Sequence, residues 1–110
     1  MRWAKENPVR RKIHMAVNKL KELAKGGPSA TGEQLHSLWG KQRGRCALTG
    51  IPITALEAHL DHVVPTSKGG SQTVRNLRWT HPMANAAKGT RTDKEFWQWI
   101  EQVLINYKRV

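Results

Sequence analysis

The stretch Ala58-His59-Leu60-Asp61-His62-Val63-Val64-Pro65, followed by Leu77-Arg78-Trp79-Thr80 and then by Pro82 to Gly89, decides the fold of this chain. Side chains alternate from Ala58 to Val64, which predicts a strand, and Pro65 closes it because proline brings no N–H to a ladder. Thr66 to Thr73, with Gly69-Gly70-Ser71 inside it, is a polar connection of ordinary length. Leu77 to Thr80 predicts a short return strand. Pro82 suits the first turn of a helix, where a missing N–H costs nothing, and Gly89 suits its end. The unit is therefore strand, loop, strand, short helix, an α+β arrangement. Pleating puts His59 and Asp61 on one face and Leu60 and His62 on the other. Aiming Asp61 and His62 at one site requires a twist or bulge near the strand end.

Upstream, Cys46 to Ile53 reads as a strand or knuckle turning at Gly50, where glycine permits a positive φ. Thr31 and Gln34 form a capping-box pattern before Leu35, Leu38 and Trp39, predicting a short helix. Earlier still, Asn7 and Pro8 start a helical repeat of Val9, Ile13, Ala16, Val17, Leu20 and Leu23 that Gly26-Gly27-Pro28 stops. Downstream, Thr92 and Glu95 form a second capping box. It opens a helix on which Phe96, Ile100, Val103 and Tyr107, flanked by Trp97, Trp99 and Leu104, make a broad apolar surface expected to pack. Trp3, Trp39 and the C-terminal tryptophans are expected in core or interface, with stacking on nucleobases as the sharper alternative.

A chain of 110 residues is most economically one domain. We expect a basic helical arm over residues 1–45 and a core with a C-terminal packing helix over 46–110, and the linker-like stretch is Gly26 to Ala30. The 19 Lys and Arg against 8 Asp and Glu give +11, and the front 45 residues carry 11 basic against 3 acidic side chains. Such an excess points to a dense polyanion, with nucleic acid as the leading candidate. No run approaches the roughly 18 apolar residues of a membrane span. The first residues show no signal-peptide core, so a soluble, cytoplasmic chain is expected. A lone Cys46 rules out an internal disulfide and fits a reducing compartment.

Within the central unit, the His62 imidazole stands beside the Asp61 carboxylate, and Asn76 and Asn85 add two amides. That combination suits metal-assisted hydrolysis of a phosphodiester. Each residue also has a plainer explanation: a satisfied turn histidine, a salt-bridge acid, an Asx turn, a helix-surface amide.

The segment from about Cys46 to Gly89 resembles the HNH endonuclease family. The resemblance rests on Leu60-Asp61-His62-Val63-Val64-Pro65, Gly69-Gly70-Ser71, Asn76-Leu77 and Asn85-Ala86-Ala87-Lys88-Gly89. The pattern is the His-Asn-Asn variant also found among phage and homing-type nucleases. It implies a ββα-metal, treble-clef-like core flanked by N- and C-terminal helices. It further implies His62 as general base, Asn76 as the catalytic-loop residue that steadies it, and Asp61 with Asn85 as ligands of one divalent cation, Mg²⁺ or Mn²⁺, other transition metals being alternatives. Convergence of these groups is the central expectation. His59, His81 and Lys88 are neighbours of that site, each with a structural alternative. Arg10, Arg11, Lys12, Lys19, Lys68, Arg78, Lys88 and Arg91 are expected to contact phosphates of double-stranded DNA.

Many relatives hold this core with two Cys pairs on a structural zinc. Here the corresponding positions read Cys46, Thr49, His81 and Ala84. With three thiolates missing, no structural zinc is expected, and stability falls to Trp79, Leu48, Ile51 and the C-terminal helix. The implied function is a DNA endonuclease or nickase leaving a 5′ phosphate and a 3′ hydroxyl, working as a monomer or weak dimer, with phage packaging proteins as further partners. The alternatives are a non-catalytic DNA-binding module of a phage or mobile-element complex, and an RNase.

Overall fold

The computed structural model describes residues 7–109, so Trp3 lies outside the described residues. Helix α1 spans Pro8–Ala24 and α2 spans Gly32–Gln42, both preceding strand β1, His59–His62. Strand β2, Leu77–Thr80, helix α3, Pro82–Lys88, and helix α4, Asp93–Lys108, complete the order. The return strand and the short helix begin and end where the local signals predict. Short 3-10 turns at Thr66–Lys68 and Val74–Asn76 tighten the connection between the strands.

The helix starts follow from side-chain caps that satisfy otherwise orphaned N–H groups. Asn7 Oδ1 accepts from Arg10 N at 3.2 Å. Thr31 and Thr92 each form a reciprocal capping box, with Gln34 and Glu95 respectively. His81 caps α3 with its ring Nδ1, which accepts from Met83 N at 3.1 Å.

Strands β1 and β2 pair antiparallel in one-to-one register: His59 opposite Thr80, Leu60 opposite Trp79, Asp61 opposite Arg78, His62 opposite Leu77. The bulge needed to turn Asp61 and His62 to one side is therefore not formed. The outer edge of β2 is covered by a side chain, since Gln42 accepts from Trp79 N and donates to Trp79 O, both at 2.8 Å. An amide mimics the missing strand there.

Trp79 anchors the core at 1 % exposure. Its indole donates to Leu35 O at 3.2 Å, and Trp39 meets it edge-on at 6.0 Å between ring centres. Ile13 and Leu20 of α1, Leu35 of α2, Cys46, Ile53, Ala58 and Leu77 share the same core. The basic helix is thus packed into the body of the fold. Ala30, at the end of the linker-like stretch, is buried and its N–H donates to Gln72 O at 2.9 Å.

The Cys46 segment is a knuckle. Gly50 N–H returns to Cys46 O at 2.8 Å, Gly50 takes φ +73°, and Ala47 N–H docks on Trp79 O at 3.0 Å. Burial pushes the Cys46 thiol up, but hydrogen bonds from Thr49 and from the backbone of His81, Thr49 and Leu48 together bring it below its ordinary value.

Two stability expectations need correction. Ile51 is exposed, while Leu48 packs only against the margin of the core. Helix α4 buries Phe96 but leaves Trp97, Trp99, Val103, Leu104, Ile105 and Tyr107 largely in solvent. The core is filled by α1, α2 and the sheet, and α4 is tied down through its first turn. There Asp93 meets Arg78 and Glu95 meets Lys68.

Candidate active site

His62 ends β1 half-buried, and its orientation is set from ten residues away. Its Nε2 lies 2.6 Å from Gln72 Oε1, and Gln72 Nε2 in turn donates to Thr66 Oγ1 at 3.2 Å. Because an amide oxygen only accepts, Nε2 carries the proton and Nδ1 is the basic nitrogen of the neutral ring. Gln72 is 6 % exposed, held by Ala30 on its backbone and Thr66 on its side chain, so the partner of His62 is itself fixed. Sequence reasoning missed Gln72. The only available signal was a polar residue directly after Gly69-Gly70-Ser71, and nothing local ties it to His62.

Asn76 clamps the loop between the strands. Its Oδ1 accepts from Val64 N at 2.8 Å, and its Nδ2 donates to Val64 O at 3.0 Å and to Ser71 O at 2.9 Å. These partners are twelve and five residues distant, so the contact is a cross-loop clamp, not the local Asx turn that was the alternative. Gly70 must be glycine, because a Cβ would overlap the Val64 carbonyl and come within 2.8 Å of Asn76 Nδ2.

His59, His62 and Asn85 border one cleft of about 270 Å³ between α1 and β1. Lys12 and Lys19 of α1 line it as well, above a floor that includes Leu20, Leu60 and Trp79. Lys12 is steadied by donating to Leu56 O at 2.9 Å. Two histidines, an asparagine and two lysines thus border one cleft.

Asp61 does not border that cleft. It is 4 % exposed, on the opposite side of β1, and both its oxygens are taken by cations. Arg78 Nε donates to Oδ2 at 3.0 Å, and Lys88 Nζ lies 3.3 Å and 3.4 Å from the two oxygens. Lys88, fully buried, also donates to His62 O at 2.8 Å and Val63 O at 3.1 Å. Arg78 reaches on to both oxygens of Asp93. Burial opposes the Arg78 charge, but Asp93 and Asp61 more than offset it and raise its pKa. Hydrogen bonding from Arg78 holds the Asp93 carboxyl below its usual range against the effect of burial.

Arg78 and Lys88 face inward onto carboxylates and carbonyls. Lys68 pairs with Glu95 at 2.6 Å, which helps hold that carboxyl down to about 2. Arg91 lies 5.1 Å over the Trp99 ring. His81 serves as a helix cap. Lys12 and Lys19 line the cleft, and Arg10 and Arg11 lie on the same helix.

The divalent cation implied by the family resemblance would have to be held by Asp61 and Asn85. A hard ion seeks anionic oxygen, and the one carboxylate beside His62 is neutralised by two basic groups. Among the described residues, no three His, Cys, Asp or Glu side chains gather in a metal-binding group. Asp61 and Asn85, as arranged, do not fit that ion.

No protein-family model matches the chain, and no curated protein matches it either. Among solved structures, the chain is similar to one described as the crystal structure of a type II restriction endonuclease, with a TM-score of 0.52 and 24% sequence identity. The alignment covers 84% of this chain and 49% of that one, so this chain spans about half the length of its structural relative. The likeness is one of fold, and among the described residues this chain is a small α+β arrangement of four helices and a two-stranded antiparallel sheet. Among the described residues, no helix is long and apolar enough to cross a membrane.

Proposed function

We propose that this chain is a nuclease that hydrolyses phosphodiester bonds in double-stranded DNA, with His62 as the general base. The observation that carries the reading is the 2.6 Å bond from His62 Nε2–H to Gln72, which leaves Nδ1 as the proton acceptor of a ring bordering a lysine-lined cleft. A neutral imidazole so held can take a proton from water. The resulting hydroxide attacks phosphorus, the P–O3′ bond breaks, the departing 3′ oxygen takes a proton from solvent water, and the products are a 5′ phosphate and a 3′ hydroxyl.

Lys12 and Lys19 attract and partly neutralise the scissile phosphate, while the Asn85 amide contributes a hydrogen bond to the same group. Asn76 acts through the loop, keeping Gln72 and hence His62 in register. The fold shared with a restriction endonuclease supports the same class of substrate, and the charge of +11 supports a polyanion. With one site per chain, a monomer nicks.

A second reading is favoured by the neutralised Asp61: a DNA-binding module that keeps the scaffold without the chemistry. The two separate in a supercoiled-plasmid assay with Mg²⁺ or Mn²⁺, run on the wild-type chain, on His62→Ala and with chelator. The nuclease reading expects nicked circles from the wild type and a loss of about 10²–10⁴-fold in His62→Ala with DNA binding retained. Binding without any cleavage by the wild type would establish the module. The chelator arm measures cation dependence directly.

A further inference from the structure

Leu56 and Met15 stand beside the cleft with their side chains in solvent, 80 % and 59 % exposed. Leu56 lies in the turn that leads into β1, and its backbone is braced. Thr54 N donates to Glu57 Oε1 at 3.2 Å, Glu57 N donates to Thr54 Oγ1 at 3.3 Å, and Ala58 N donates to Thr54 O at 3.0 Å. Lys12 Nζ holds the tip by donating to Leu56 O at 2.9 Å. The turn is thus fixed on both sides while its leucine side chain stays in water.

Met15 lies on α1 with Lys12 three residues before it and Lys19 four after, a spacing that puts all three on one helix face. Lys12 and Met15 line the cleft that His62 borders, and they also line an adjoining groove of about 300 Å³ whose other walls are Pro8, Arg11 and Leu56. Apolar tips therefore stand among cations at the edge of the proposed site of cleavage. Duplex DNA carries the matching pattern, with phosphates outside and apolar base faces stacked within. We propose that Leu56, flanked by Met15, is a wedge that enters the base stack beside the phosphate held in the cleft, and that the preferred substrate is duplex DNA whose stacking is already weakened by a mismatch or a bulge. The wedge rests on the nuclease reading for its substrate. An apolar protein partner suits this surface less well, because it would strip water from Arg11 and Lys12 without neutralising them.

Unstacking a base step costs free energy, and least where the step is already disrupted. A wedge turns that local weakness into tighter binding, whereas phosphate contacts from Lys12 and Lys19 are indifferent to it. Neither leucine nor methionine reads base edges through strong hydrogen bonds. Selection is therefore for the structure of the duplex and not for its sequence.

The test uses the full-length chain carrying His62→Ala, which leaves the DNA intact, and short duplexes with 2-aminopurine either beside a central mismatch or in the fully paired sequence. That chain should bind the mismatched duplex at least ~10-fold more tightly than the paired one and raise the 2-aminopurine fluorescence as the neighbouring base is unstacked. Adding Leu56→Ala should bring the ratio below ~2-fold and abolish the rise, while Leu56→Met, which keeps a long apolar side chain, should preserve both. Leu56 is exposed, so its truncation leaves no cavity and the circular dichroism spectrum should be unchanged.

Equal affinity for the two duplexes, or a mismatch preference and fluorescence rise that survive Leu56→Ala, overturns the wedge. Failure to bind duplex DNA at all overturns it as well. Plasmid cleavage by the wild type keeps the nuclease reading separate. Cleavage without Leu56-dependent fluorescence removes only the wedge, and Leu56-dependent fluorescence without cleavage upholds the wedge on a chain that binds DNA and does not cut it.

Discussion

Replacing Asn76 by alanine should unlock the loop that carries Gln72. The side chain makes three hydrogen bonds, to Val64 N, Val64 O and Ser71 O. At about 1 kcal/mol net for each, their loss costs roughly 3 kcal/mol, and water reaching the partly exposed loop returns some of that, leaving about 2–3 kcal/mol. For a chain of this size, that corresponds to a fall in Tm of roughly 10–20 °C. Urea denaturation followed by tryptophan fluorescence measures the change directly. Asn76→Asp sharpens the test, because it keeps the acceptor for Val64 N but turns a second oxygen toward two carbonyls. It should be at least as damaging as alanine. A cost under about 0.5 kcal/mol for alanine, or an aspartate variant as stable as the wild type, would refute the clamp and with it the proposed route from Asn76 to His62.

Gln72→Ala should leave the fold largely intact yet lower cleavage and alter its dependence on pH, since the ring of His62 loses its fixed tautomer; an unchanged pH–rate profile would exclude the role given to Gln72. Gly70→Ala should fail to fold or unfold at much lower temperature by circular dichroism, because the added methyl overlaps the Val64 carbonyl. The Asp93 carboxyl is depressed in the folded state, so its contribution is present above the unfolded value near ~3.9 and is lost as pH falls through the lower folded value. Asp93→Asn should therefore be less stable at neutral pH and show a shallower loss of stability below about pH 4, readable by acid titration of the urea midpoint.

Local signals were legible and distant ones were not. The β2 strand, the Pro82 start of α3, the Gly50 turn and both Thr capping boxes depend on residues within four positions of each other, which sequence displays directly. The grip of Gln72 on His62, of Lys88 on Asp61 and of Gln42 on Trp79 spans 10, 27 and 37 residues, so spacing carries no trace of it. The strand period separated Asp61 from His62 correctly, and expecting a bulge to reunite them overrode the simpler inference. Helical spacing on α4 identified apolar positions but not whether a partner would cover them. Charge counts likewise could not distinguish Lys88 and Arg78, committed to internal carboxylates, from the lysines of α1 that face the cleft.

The central claim is that the His62 imidazole removes the proton from the attacking water, and chemical rescue tests it most directly. Cleavage by a folded His62→Gly chain should be nearly absent in buffer and should return in proportion to added free imidazole, with a pH dependence that follows the added base. A His62→Gly chain that cuts plasmid at the wild-type rate without imidazole would contradict the account.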